Sequence, residues 1–254
     1  MNTLFLKRRA LRGLALLLLG GFNSATAAEL QVAVASSFAP ALEAVGEAYT
    51  RKTGHTLRLA RASTGKLYAQ IVNGAPYDLF FAADARRPML LETAGKTLAG
   101  SGFVYATGRL VLWNRSGPQG PGAIHALREG DYRYLAIANP RHAPYGAAAQ
   151  RALEALALWQ AVQPRLVRGE NVGQTLQFVQ SGNAELGFVA SAQLAALPEL
   201  PGEVWTVPQE LYPPLHQRVA LLRDSPAAQA LLTFMRSEVA RELLRSYGYD
   251  LPGQ

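Results

Sequence analysis

Short apolar runs alternate with helix-period segments along most of this chain, and that alternation restricts it to layered α/β architectures. Val32 to Ala35 reads as a strand. From Phe38 to Lys52, Ala41, Leu42, Val45, Ala48 and Tyr49 share one helical face, and Gly54 stands where a C′ glycine belongs. Leu57 to Ala60 reads as a strand, Lys66 to Asn73 as a short helix ended by Gly74, and Leu79 to Ala82 as a buried strand. Asp84 is placed to cap a helix ended by Gly95. Successive βαβ units imply a parallel sheet with helices outside it.

Gly102 to Trp113 breaks the rhythm with a long strand-like segment, read as a crossing from one lobe into another. Ser116 to Gly130 is rich in Gly and Pro and reads as loop plus a short helix. A second α/β set follows: strands at Tyr134–Ala138, Leu166–Val167 and Leu186–Val189, and helices at Gly146–Leu158 and Gly173–Ser181. Val204–Val207 and Gln217–Leu222 are strand-like and lie near the return crossing. Ser225-Pro226 opens a helix with a cap and an N1 proline, Glu238 to Tyr247 gives another, and both are expected to pack on the first lobe. The division read from this pattern is residues 1–27 as a signal peptide, 28–107 with 217–254 as lobe one, and 108–216 as lobe two. Two such lobes joined by two crossings leave a cleft outside the carboxyl ends of their strands, where open α/β sheets bind ligands.

Two hydroxyl-bearing loops sit at such strand ends: Ser36-Ser37 and Ser63-Thr64-Gly65. Each opens a helix, whose first N–H groups are unpaired and whose dipole end is positive. Facing each other, the two loops would hold an oxyanion with neutral donors alone. Ordinary helix capping is the competing reading, because Ser and Thr are favoured there in any case. In the second set, Asn139-Pro140-Arg141-His142-Ala143-Pro144-Tyr145-Gly146 and Glu170-Asn171-Val172-Gly173-Gln174 also precede helices. Backbone N–H groups near Tyr145 and Val172, with the Tyr145 phenol, would close the cleft. A packed aromatic is the alternative for Tyr145.

The N-terminus reads as a Sec-type export signal. Lys7, Arg8, Arg9 and Arg12 precede the apolar Leu14–Leu19, and Ala25-Thr26-Ala27 gives a small-residue cleavage site, with Thr26-Ala27-Ala28 as a second choice. The apolar run is too short to span a bilayer. The formal charge of +7 is therefore misleading: four of the 25 Lys and Arg leave with the signal, and +3 remains against 18 Asp and Glu. That mild excess, without a basic block, does not argue for nucleic acid but suits the steering of small anions. The chain has no cysteine, which removes thiolate chemistry and disulfides together.

At this point the residues resemble a known family, the periplasmic molybdate-binding proteins of ABC importers, over nearly the whole mature length. The matching segments are Ala35-Ser36-Ser37-Phe38, Ser63-Thr64-Gly65 with Tyr68-Ala69-Gln70-Ile71, and Asn73 through Asp84. Gly108-Arg109-Leu110-Val111-Leu112-Trp113, Asn139-Pro140 with Ala143-Pro144-Tyr145-Gly146, Glu170-Asn171-Val172-Gly173-Gln174 and Gly187-Phe188-Val189-Ala190 complete the set. The resemblance implies a type II periplasmic binding protein, a non-enzyme that delivers molybdate or tungstate to a membrane ABC permease and works as a monomer without a cofactor. It places side-chain contacts on Ser36, Ser37 and Thr64, and second-lobe contacts on Tyr145 and Val172; Ser63 belongs to the same loop. The oxyanion would be held through its oxygens by Ser37, Thr64, Tyr145 and Val172, with no direct metal ligand. Some relatives carry a Tyr where this chain has Ala190, so Tyr145 is expected to supply the phenolic donor. Lys66 departs from the small or neutral residue expected there.

Chemistry supports the same choice. Molybdate and tungstate are fully deprotonated at neutral pH and only accept hydrogen bonds, and neither hydroxyl loop contains a carboxylate. Glu170 is the one nearby acid. A binding protein for another tetrahedral oxyanion such as sulfate is the alternative, and an extracytoplasmic hydrolase with a Ser nucleophile is a weaker one. Ser63-Thr64-Gly65-Lys66 is not a P-loop, because Ala60 and Leu67 stand where Gly and Ser/Thr are required. Asn114-Arg115-Ser116 is a chance-level glycosylation match. His55, His125, His142 and His216 lack metal-site spacing, there is no Gly-x-Ser-x-Gly elbow, and Asp78 and Asp84 read as structural.

Overall fold

The structure is a computed structural model, and it describes residues 27–115, 117 and 122–253. The charged and apolar parts of the export signal, and Ser116 of the glycosylation match, lie outside these residues.

The first run of elements is β1 (Glu29–Ala35), α1 (Ala39–Thr53), β2 (Thr56–Ala62), α2 (Thr64–Val72), β3 (Leu79–Ala82), α3 (Arg86–Thr93) and β4 (Phe103–Gly108). The second is β5 (Leu110–Asn114), α4 (Gly122–Glu129), β6 (Leu135–Ala138), α5 (Pro144–Ala155), α6 (Trp159–Val162), β7 (Leu166–Gly169), α7 (Val172–Gln180), β8 (Leu186–Ala190), α8 (Ser191–Ala195) and β9 (Glu203–Thr206). The chain then returns through β10 (Leu215–Leu221), α9 (Pro226–Met235) and α10 (Glu238–Ser246).

These elements form two α/β lobes, each around one five-stranded sheet. The sheet orders are β2-β1-β3-β10-β4 and β7-β6-β8-β5-β9. In the first, β1 runs parallel to β2 and β3, and β10 runs antiparallel to β3 and β4. The second repeats this plan, with β6 parallel to β7 and β8, and β5 antiparallel to β8 and β9. The chain crosses between sheets at Arg109 and again over residues 207–214.

Alternation along the strands explains why helices cover both faces of the first sheet. Val32, Val34, Leu79 and Phe81 face one way and pack with Leu42 and Val45 of α1 and with Leu231, Leu232 and Leu244 of the last two helices. Ala33, Phe80 and Ala82 face the other way and meet Leu67 and Ile71 of α2 and Leu91 of α3. The closing helices thus pack on the first lobe, as their sequence position implies. Ser225 caps α9 by accepting from the Ala228 N–H at 3.2 Å, and Gly54 ends α1 at φ +77°. Asp84 accepts from the Arg87 N–H at 2.8 Å, and the buried Asp78 ties the Gln31 N–H to Arg223, so both are structural.

Three helices begin earlier than their apolar periodicity predicts. α2 starts at Thr64, α5 at Pro144 and α7 at Val172, so Thr64, Tyr145 and Val172 belong to first turns and not to the loops before them. The reason is local: proline is pre-organised for N1, and a first turn needs no apolar residue to form. Helices α6 and α8 are too short to produce a periodic signal.

Candidate functional site

Four helix N-termini converge on one small cavity between the lobes. Its walls are Ala35, Ser36 and Ser37 ahead of α1, Ala62, Ser63 and Thr64 at α2, Ala83 after β3, Ala143, Pro144 and Tyr145 at α5, and Val172 at α7. The atom-free space is about 180 Å³. All six residues picked out in the sequence as ligand candidates lie on this wall, and no charged side chain does. Four positive dipole ends with no carboxylate among them favour an anion that arrives without protons.

The hydroxyls are not helix caps. Neither α1 nor α2 has a side-chain cap hydrogen bond, although Ser63 occupies the N-cap position of α2. Ser37 is 1 % and Ser63 3 % exposed, and the Oγ of each is buried without a hydrogen-bond partner. A buried hydroxyl left in that state costs about 1–3 kcal/mol. Thr64, fully buried, accepts from the Ala83 N–H at 3.1 Å, and Ser36 accepts from the Gly173 N–H at 3.3 Å. Each accepting hydroxyl keeps its own proton to donate.

The second lobe contributes fewer side chains. Val172 is the first residue of α7, so its N–H has no partner within the helix. Asn171 caps that helix through its side chain, accepting from the Gln174 N–H at 3.1 Å. Tyr145 is buried in the first turn of α5, and burial pushes its phenol well above the ordinary tyrosine range, so it stays protonated. Its oxygen accepts from Gln217 Nε2 at 3.3 Å. Ala190 is buried in β8 and is not part of the cavity wall.

The lobes are closed on the cavity. The Gly65 N–H donates to the His142 carbonyl at 2.8 Å, and a Cβ added at Gly65 would stand 2.8 Å from that oxygen. Lys66 pairs with Glu170 across the rim, both side chains about half exposed, so this acid faces a lysine and is held below the usual carboxylate range, chiefly by that hydrogen bond. A larger groove between α1 and β2 mixes Glu43, Glu47, Arg51 and Arg61 with apolar residues and gathers no set of like donors. Among the described residues, no three or more His, Cys, Asp or Glu side chains are grouped to hold a metal ion. No described helix is long and apolar enough to cross a membrane.

This geometry coincides with what the chain is similar to. The sequence profile described as bacterial extracellular solute-binding protein matches residues 30–250. The chain belongs to that family. It is 43 % identical to the molybdate-binding protein ModA of Azotobacter vinelandii over 236 residues, covering 90 % of this chain and 92 % of that one. It is 39 % identical to the molybdate-binding protein ModA of Rhodobacter capsulatus, with 92 % of each covered. Among solved structures, the Azotobacter vinelandii periplasmic molybdate-binding protein superposes with a TM-score of 0.83 at 37 % identity, covering 88 % of this chain and 99 % of that one. The two-lobe arrangement is accordingly that of a type II periplasmic binding protein.

Family membership leaves two local features to the structure. Gln217 had no role in the sequence reading, although Leu215, Val219 and Leu221 share its strand parity and Gln217 is fully buried with them. A polar residue at a core parity of a strand is the signal that would have found it. Gly65 reads in sequence only as the end of a hydroxyl-bearing loop, and the approach of His142 shows why a side chain there obstructs closure.

Proposed function

We propose that this protein is an exported binding protein that captures molybdate, and tungstate with it, through neutral hydrogen-bond donors and passes it to a membrane ABC permease. The observation that carries the reading is the pair of buried, partnerless hydroxyls of Ser37 and Ser63 in a cavity without charged walls. An acceptor-only dianion satisfies both at once. Ser36, Ser37, Ser63 and Thr64 serve as first-lobe contacts, the Val172 N–H and the Tyr145 phenol as second-lobe contacts, and the metal has no direct protein ligand. No His or carboxylate lines the cavity to act as a general base, which favours binding over hydrolysis. The 43 % identical ModA, by name a molybdate-binding protein, supports the choice of anion.

Residues 28–107 with 217–254 form lobe one and residues 108–216 lobe two in this reading; sheet membership supports it, with Gly108, Leu215 and His216 counted to the first sheet. Export follows from the signal sequence, with the mature chain beginning at Ala28 or Glu29 and acting as a monomer in the periplasm.

A thermal-shift and calorimetric panel of oxyanions on the mature protein tests the assignment. Molybdate and tungstate should stabilise, by about 2.7 kcal/mol at a hundredfold their Kd, and phosphate should not. Sulfate shares the acceptor-only chemistry and is distinguished by size, so it should bind far more weakly. Stabilisation by phosphate without molybdate would overturn the neutral-donor reading.

A further inference from the structure

The Tyr145 phenol is a useful ligand contact only if its proton points at the anion, and the residue behind it decides that. Gln217 is fully buried on β10 of the first sheet, at an irregularity in the ladder. Gln217 is opposite Ala106 and Arg218 is opposite Val104, so Tyr105 is the extra residue on β4. A bulge re-aims side chains, and here the Tyr105 and Gln217 side chains meet. The Tyr105 hydroxyl has one proton and two acceptors in reach, and it donates to the nearer, Gln217 Oε1 at 3.0 Å, with the Ala82 carbonyl at 3.2 Å. With Oε1 facing Tyr105, Nε2 faces the second lobe and donates to the Tyr145 oxygen at 3.3 Å.

Space for that meeting comes from Gly108, the last residue before the first crossing. A Cβ there would stand 2.0 Å from the Tyr145 oxygen and 2.6 Å from Gln217 Nε2. A neighbouring bond steadies the facing wall: the Tyr249 hydroxyl donates to the Ser37 carbonyl at 3.1 Å. An amide nitrogen is only a donor, so a phenol that accepts from it must send its own proton elsewhere. Tyr145 lines the cavity, so a bound anion is the acceptor available there for that proton. Turning the amide over would present Oε1 to Tyr145, which would then spend its proton on Gln217.

We infer that Gln217 is a positioning residue of the anion site: held by Tyr105, it fixes Tyr145 as a donor to the bound oxyanion from the opposite lobe. The inference rests on Tyr145 being a ligand contact. It makes the fit of the second lobe depend on a first-lobe side chain that does not itself line the cavity. Replacing Gln217 should therefore change affinity chiefly through Tyr145, although the Tyr249 hydroxyl that donates to the Ser37 carbonyl is also within hydrogen-bond reach of its amide.

A double-mutant cycle tests this with molybdate titrated into the full mature chain. Gln217→Met keeps the volume and removes the amide. It should weaken molybdate binding about five- to tenfold when Tyr145 is present, the value of one neutral hydrogen bond, and leave affinity unchanged in the Tyr145→Phe background. Equal losses in both backgrounds, or none in either, would overturn the inference while leaving Tyr145 as a contact. Wild-type affinity in Tyr145→Phe alone would remove the contact and the inference together. If Gln217→Met does not fold, the side-chain amide resonances of Gln217 in the ¹⁵N-labelled protein serve instead. They should shift on adding molybdate to the wild type and stay still in Tyr145→Phe; a shift of the same size in both would count against the inference.

Discussion

The two lobes share one strand plan and approach the cavity with different chemistry. The first places α1 and α2 after its middle and outer parallel strands, and the second places α5 and α7 after the corresponding strands. The first-lobe loops are short, residues 36–38 and residue 63, and together with Thr64 at the start of α2 they bring four hydroxyls. After the second-lobe loops, residues 139–143 and 170–171, the first turns of α5 and α7 bring backbone N–H groups and a single phenol. The first half of the site is thus built by side chains on rigid strand ends, and its two partnerless hydroxyls lie within one lobe. The second half contributes only when the lobes meet. An anion bound to both halves has its differential affinity for the closed form in the second-lobe contacts.

The largest test of that division blocks closure without touching a donor. Gly65→Val adds a branched side chain where a Cβ alone would lie 2.8 Å from the His142 carbonyl oxygen and 3.0 Å from its Cα. Gly65 sits in the first turn of α2, where a side chain does not oppose folding of the lobe. The variant should keep its unliganded melting temperature and lose at least about a hundredfold in molybdate affinity, the low end for two charge-assisted hydrogen bonds. Small-angle scattering should show no compaction on adding molybdate. Wild-type affinity would mean that the second lobe contributes little.

The next test separates side-chain donors from backbone donors. Ser37→Ala and Thr64→Ala should each weaken binding about ten- to a hundredfold. In the second lobe, Val172→Ala keeps the N–H and should change affinity little. Val172→Pro removes the N–H, yet proline suits the first helical position, and Asn171 before it is already extended at φ −153°, ψ 170°. It should fold and still lose about tenfold or more. Titration calorimetry on all four variants checks the pattern. Equal sensitivity of Val172→Ala and Val172→Pro would show that the residue acts through packing and not through its N–H.

The same contrast explains what was legible in the sequence. Alternation and helix period are local, so strands, helices and both hydroxyl loops could be read from runs such as Val32–Ala35 and Leu79–Ala82. Loops after parallel strands face one edge, which is why sequence alone gathers Ser36, Ser37, Ser63, Thr64, Tyr145 and Val172. Pairings between distant segments were not legible. Gln217 meets Tyr145 from 72 positions away. In sequence Lys66 is a departure from the residue the resemblance implies and Glu170 an acid near the loops, and only the structure shows that each answers the other. The failure to cap was equally hidden: composition marks Ser63 as an N-cap, and only its burial without a partner shows otherwise.

The smallest expected effect concerns that rim pair. Lys66 is in α2 of the first lobe and Glu170 lies between β7 and α7 of the second, so their ion pair forms only when the cleft is shut. It resembles the donors inside in linking the lobes, but both groups remain about half exposed, where water and salt screen their attraction. Lys66→Ala should therefore weaken molybdate binding by no more than about fivefold at low ionic strength, and by less in high salt. Glu170→Ala removes a negative charge near the path of an incoming dianion as well as the pair. Its loss in affinity should be smaller still, offset by a faster association rate that also fades with salt. Stopped-flow association and calorimetry across a salt series resolve the two. A loss from Lys66→Ala as large as that from Ser37→Ala, and insensitive to salt, would place the lysine among the donors to the anion and erase the distinction between a neutral interior and a charged rim.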